Sequence, residues 1–173
     1  MSKINAIIFS GLMGLMICML QGCGVSYSLS GGSIPENLKT YSVAFFENIS
    51  PIVNPNLSQN FTEGLKERIR TQSRLSQVNQ DGDATFEGVI TNYAITAAAV
   101  ESNTDMAALN RLTITVKVTY KNIKDPTGES DFEESFTQFK EYRGDFTSQE
   151  TNLAQEIVKM LTEDVFNKAF NNW

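Results

Sequence analysis

The strongest constraint on the fold is a stretch in which apolar and polar residues alternate without a break. From Arg111 to Tyr120, the even-numbered positions are Leu, Ile, Val, Val and Tyr, whereas the odd-numbered positions are Arg, Thr, Thr, Lys and Thr. Successive side chains of a β-strand point to opposite faces of its sheet, so one face of this strand must lie on a core and the other in water. The pattern is typical of an antiparallel sheet that is covered on one side only.

Two amphipathic helices are predicted to provide that cover. Apolar residues recur at helical spacing over about 56–72 and again over about 148–171. The stripes consist of Leu57, Phe61, Leu65 and Ile69 in the first helix and of Leu153, Ile157, Leu161 and Val165 in the second. Asn56 or Ser58 is expected to cap the first helix.

The remaining patterned segments favour strands. They span 38–47, a short piece at 75–78, 85–100 and 132–142, and the last follows a turn at Asp125-Pro126-Thr127-Gly128. Gly88, inside a predicted strand, indicates a bulge or tight packing. The order β-α-(β)-β-β-β-α predicts an α+β fold, a two-layer sandwich with two helices packed on one mostly antiparallel sheet of about four strands.

The N-terminus has the pattern of an export signal. Lys3 precedes an apolar run that is short for a membrane span. Leu20-Gln21-Gly22-Cys23 then resembles a lipobox, although Gln21 departs from the usual Ala or Ser. We expect residues 1–22 to be a signal peptide cleaved between Gly22 and Cys23, with a lipid on Cys23; the alternative is an apolar helix with an incidental cysteine. Residues 23–35 would be the lipidated tether, and 36–173 a single α+β domain.

Composition argues against several function classes. The chain contains no histidine, the commonest general base, and shows no nucleophile, phosphate-loop or metal-spacing motif, so we do not expect an enzyme, a metal site or a cofactor beyond the lipid on Cys23. Its formal net charge of −6 also argues against nucleic-acid binding.

A row of cations is the main candidate binding feature. Arg111, Lys117 and Lys121 share the polar face of the alternating strand with threonines, where they could meet phosphates of an anionic amphiphile such as lipopolysaccharide (LPS). The alternative is an ordinary solvated sheet face.

Several motifs, in order along the chain, resemble the LPS-assembly lipoprotein LptE family in its Bacteroidetes-type branch. They are Ser33-Ile34-Pro35, Lys39-Thr40-Tyr41-Ser42-Val43, Phe46-Glu47-Asn48, Val53-Asn54-Pro55-Asn56-Leu57-Ser58-Gln59, Phe61-Thr62-Glu63-Gly64-Leu65-Lys66, Phe86-Glu87-Gly88, Asn110-Arg111-Leu112-Thr113-Ile114 and Phe166-Asn167-Lys168-Ala169 with Trp173. Together they cover nearly all of the chain after Cys23.

The resemblance implies a non-catalytic outer-membrane lipoprotein. Family members plug a large β-barrel partner, LptD, assist its folding and help deliver LPS to the cell surface. Gly24 and Val25 lack the aspartate of an inner-membrane retention signal, so the expected location is the periplasmic side of the outer membrane. Two other functions remain open, namely a lipoprotein that activates a peptidoglycan synthase and a lipoprotein hydrolase.

Replacing Cys23 by alanine should release the protein from the membrane. A bacterial lipoprotein carries three acyl chains, and each buried methylene contributes about 0.8 kcal/mol to attachment. Palmitate labelling and membrane fractionation measure the effect. Cys18→Ala is the matched control and should leave labelling intact, because Cys18 lies in the segment predicted to be removed. A Cys23→Ala protein that stays on membranes lacking any protein partner would contradict the prediction.

Overall fold

The computed structural model describes residues 34–52, 54–99 and 109–171. Its strands are β1 (Thr40–Val43), β2 (Glu47–Asn48), β3 (Ser76–Gln77), β4 (Ala84–Ala99), β5 (Leu109–Asn122) and β6 (Phe132–Arg143), and its helices are α1 (Leu57–Gln72) and α2 (Glu150–Phe170). The predicted signal peptide, the cleavage site at Gly22 and Cys23, the tether up to residue 33 and Trp173 lie outside the described residues.

The strands form one mixed sheet. Its order is β3-β1-β4-β5-β6, and β2 pairs with the same edge of β4 as β1. The β4-β5-β6 part is antiparallel, whereas β1 pairs in parallel with both β3 and β4. The parallel pairs follow from chain order, because α1 lies between β1 and its later partners and returns the chain to the end where β1 begins.

The α+β class and both helices are confirmed, but the predicted sheet is wrong in two respects. It has six strands rather than about four, and it is mixed rather than mostly antiparallel. The two missed details have local causes. The predicted strand at 38–47 is broken between Val43 and Glu47 into β1 and β2, and β2 has only two residues, too few for alternation to reveal it as a separate strand. β3 lies within the short strand predicted at 75–78.

The apolar face of β5 forms the centre of the core. Leu112, Ile114, Val116, Val118 and Tyr120 are all at most 1% exposed. Apolar side chains of both helices are buried in the same cluster. The helices also pack closely on each other, since a Cβ built at Gly64 of α1 would lie 3.3 Å from Val158 of α2.

Gly88 marks tight packing, one of the two readings that its position allowed. A Cβ at this residue would lie 2.0 Å from the carbonyl oxygen of Lys117 and 2.7 Å from the Phe46 ring. The irregularities of β4 occur elsewhere, at Thr91 and Ala98, where its register against β5 shifts. Only glycine therefore allows β5 and the edge segment to approach β4 so closely.

Asp83 joins the start of β1 to the strands beside it. One carboxylate oxygen accepts backbone hydrogen bonds from Lys39 and Thr40 at 2.9 and 3.0 Å, and the other lies 3.1 Å from the ammonium of Lys124. These contacts, the Lys39 N–H foremost, lower the pKa of Asp83 from 3.8 to about 2. The charged carboxylate therefore stabilises the folded chain.

Asp83→Asn should lower the free energy of unfolding at neutral pH by about 1–2 kcal/mol, because charge-assisted hydrogen bonds are lost. The folded pKa lies below the unfolded one, so this contribution is present above about pH 4 and disappears as the pH falls towards 2. Urea unfolding at pH 7 and pH 3 measures it, with Glu129→Gln on the turn after β5 as the control. An equal stability gap between wild type and Asp83→Asn at both pH values would contradict the prediction.

Candidate interface on the open face of the sheet

The sheet has two unlike faces. α2 packs on one face of β5 and β6, and α1 packs on α2 and on β1, β2 and β3. No described element packs on the opposite face of β4, β5 and β6. We call that opposite face of β4, β5 and β6 the open face. On β5 it carries the odd-numbered residues, which are partly or fully exposed, whereas the even-numbered residues from Leu112 to Asn122 are buried. The open face is therefore the larger uncovered surface of the sheet.

The structure places the three predicted cations in one row on the open face. Arg111, Lys117 and Lys121 all lie at odd positions of β5. Their neighbours across to β6 are uncharged or acidic, since Arg111 pairs in register with Glu141 and Lys117 with Ser135. Towards β4, Lys121 stands opposite Thr85.

Two of the three cations are already paired. A guanidinium nitrogen of Arg111 lies 2.6 Å from Glu141, and its guanidinium carbon lies 4.0 Å from the centre of the Phe139 ring. Lys117 forms an ion pair with Glu133 and holds the pKa of that carboxyl below its usual value. Sequence reasoning found the cations but missed these carboxylates, because strand register decides which residues of β6 stand beside them.

Adjacent carboxylates on β6 separate as expected for a strand. Glu133 faces Lys117 on the open face, whereas Glu134 pairs with Lys168 of α2 at 3.0 Å on the helix side. The two groups therefore share no site. In the described part of the chain, no three acidic or cysteine side chains come together in a way that could hold a metal ion.

A cleft of about 490 Å³ opens beside the row. The Asn79–Asp81 loop forms one wall, and Phe45, Thr85 and Glu87 contribute to the rest. Because Thr85 is the register partner of Lys121, the cleft begins where the row of cations ends. Its lining is a mixture of amide, carboxylate and hydroxyl groups with one exposed aromatic ring.

Exposed apolar side chains surround this surface, and sequence reasoning did not single them out. Phe45, Ile49 and Phe139 are 60%, 60% and 45% exposed. The sequence could have predicted one exposed ring in the doublet Phe45-Phe46, because adjacent residues of an extended chain face opposite ways. In the structure Phe46 is the buried one and Phe45 is exposed. The open side of the sheet is thus amphipathic, with cations and hydroxyls between apolar groups.

A hydrogen bond to Glu150 of α2 fixes the loop that carries Ile49 and Ile52. Asn54 donates to the Glu150 carboxylate at 2.8 Å, and the buried Tyr93 hydroxyl donates to the same oxygen at 2.7 Å. Burial, reinforced by Glu150, raises the pKa of Tyr93, so its hydroxyl stays protonated. Glu150 also lies in the first turn of α2, where a negative charge is favourable. Asn56 occupies the N-cap of α1 as predicted, but without a side-chain capping hydrogen bond.

Comparison with protein families identifies one match. The model of the LptE family, described as lipopolysaccharide-assembly, matches residues 38–169. No curated protein matches the chain in sequence. Among the described residues, no helix is both long and apolar enough to cross a bilayer.

Solved structures share the fold at low sequence identity. A hypothetical protein CT253 of Chlamydia trachomatis is 9% identical with a TM-score of 0.57, covering 78% of this chain and 99% of its own. Rare lipoprotein B of Shewanella oneidensis is 10% identical with a TM-score of 0.52, covering 73% of this chain and 91% of its own. At these identities the likeness concerns the fold alone.

Proposed function

The chain belongs to the LptE family of lipopolysaccharide-assembly lipoproteins, and we propose that it is the lipid-anchored subunit of an outer-membrane translocon, with an LptD-like β-barrel as its partner. It would plug that barrel, assist its assembly and help deliver LPS to the cell surface. Cys23 would hold it on the periplasmic side of the outer membrane, and no step of this role requires a catalytic group.

The open face is the observation that carries the proposal. A sheet face that no described element covers, with cations and threonine hydroxyls beside exposed Phe45 and Phe139, matches the chemistry of a phosphorylated amphiphile.

The existing ion pairs do not prevent phosphate binding. The Lys117–Glu133 and Arg111–Glu141 pairs are substantially solvent-exposed, and such pairs contribute only about 0–1 kcal/mol. A phosphate that displaces either carboxylate would therefore lose little and gain a charge-assisted hydrogen bond.

Charge reversal should test the LPS surface. Lys117→Glu/Lys121→Glu should weaken LPS binding by the purified lipoprotein about tenfold or more, since about 1.4 kcal/mol of lost attraction corresponds to tenfold. Fluorescence titration with LPS measures the change. The matched control is Lys140→Glu/Lys168→Glu, which makes the same change of charge in the ion pairs with Glu156 and Glu134 on the helix side. Equal binding by wild type and the open-face variant would reject these contacts.

The partner should be recovered directly. A tagged chain isolated from detergent-solubilised outer membranes is expected to bring down a β-barrel subunit in stoichiometric amount, because a domain seated in a barrel has a large interface. Mass spectrometry and gel filtration measure the complex. Depletion of the chain should also cause LPS to accumulate before it reaches the surface. Recovery of a peptidoglycan synthase in place of a barrel would overturn the assignment.

A further inference from the structure

One long edge of the sheet is only partly paired. β4 has 16 residues, and on the side away from β5 its last partner is β2, which reaches Ile90. Beyond Ile90, no described strand pairs with that side of β4. The register shifts at Thr91 and Ala98 leave a regular stretch from Asn92 to Ala97, which is a common strand length.

The backbone groups that face this open edge can be identified. The carbonyl oxygens of Phe86 and Ile90 accept hydrogen bonds from the β1–β2 edge at 2.9 and 3.0 Å, so these residues point away from β5. Orientation alternates along a strand, and the extra residue at Thr91 shifts the alternation by one. The N–H and C=O groups directed to the open edge are therefore those of Tyr93, Ile95 and Ala97.

The two outer edges of the sheet are protected differently. Edge strands usually carry charges or prolines that prevent pairing with other chains. β6 follows this rule with Glu133, Glu134, Lys140, Glu141 and Arg143. The stretch from Asn92 to Ala97 contains neither a charge nor a proline, and Ile95 within it is 39% exposed. An edge left in this state is suited to receive an uncharged strand.

The chain's own tether is too short to pair with the whole of that stretch. The carbonyl of Ile34 accepts from Arg74 just before β3, at the end of the sheet where β1 begins. With Cys23 as the first mature residue, the extended segment 23–33 spans about 37 Å at most. The path along β4 from Ala84 to Ala97 is about 43 Å. The tether therefore cannot run along the edge to its end.

We propose that the β4 edge from Asn92 to Ala97 binds an extended, uncharged segment of the barrel partner as an added strand. This inference rests on the function proposed above. Main-chain hydrogen bonds to Tyr93, Ile95 and Ala97 supply the pairing, and apolar side chains of the segment cover Ile95 and Ile49. The docking position is thus set by backbone geometry, separately from the cations of the open face.

Amide hydrogen exchange tests the added strand. In outer-membrane preparations of the full lipoprotein, the edge-facing amides of Tyr93, Ile95 and Ala97 should exchange at least about tenfold more slowly than in the purified chain in detergent. A photo-reactive side chain at Thr96 should cross-link to the barrel subunit. Ala97→Pro removes one edge N–H without breaking the β4–β5 ladder, and it should abolish both effects. Ala97→Lys adds a charge that disfavours strand pairing without altering the backbone, and it should also abolish both the slower exchange and the cross-link.

Ser135→Pro is the matched control, because its N–H faces the outer edge of β6, and it should change neither effect. Unchanged exchange in membranes, a cross-link to the tether or to a second copy of this chain, or full protection in Ala97→Lys would overturn the inference. A barrel that co-purifies while exchange at Tyr93, Ile95 and Ala97 stays fast would reject the added strand alone. Failure to recover any barrel would instead reject the proposed function together with this inference.

Discussion

Burial of the apolar face of β5 in the core that α2 covers is the interaction on which the rest of the structure depends. Five consecutive even-numbered side chains, from Leu112 to Tyr120, are almost completely removed from water. Full burial of a large apolar side chain contributes about 1.5–3 kcal/mol, so this strand supplies a large share of the favourable free energy of folding. A slip by one residue would place Thr and Lys in the core, and the register of β5 is therefore strongly specified.

The same strand determines where the chain meets its surroundings. Because α2 packs on the even-numbered side of β5 and α1 packs on α2, the odd-numbered side of β5 is left without a covering layer among the described elements. Cations, hydroxyls and exposed aromatic rings gather on that side, and the partly paired edge of β4 adjoins it. The buried core and the proposed binding surface thus occupy opposite faces of one sheet, so substitutions on the open face are expected to alter binding while the core stays intact.

Membership of the LptE family agrees with this division of roles. The role proposed above, a barrel plug that helps its partner assemble, would need a rigid body, a membrane tether and surfaces for binding, and none of these requires a reactive side chain. The polar contacts of Asp83 and Glu150 are structural. Asp83 fixes the start of β1, and the Asn54, Tyr93 and Glu150 group holds the loop before α1 against α2.

The sequence by itself determined the α+β class, both helices and the two faces of β5, because periodicities of 3.6 and 2 residues report directly which side chains share a face. It also placed Arg111, Lys117 and Lys121 in one row. Only the tertiary structure decided that the sheet is mixed, since the parallel pairs of β1 with β3 and β4, and of β2 with β4, join segments that lie far apart in the chain. It likewise decided which carboxylates neutralise Lys117 and Arg111, and which edge of β4 remains open. Strand register sets these features, and register results from packing between residues far apart in the chain.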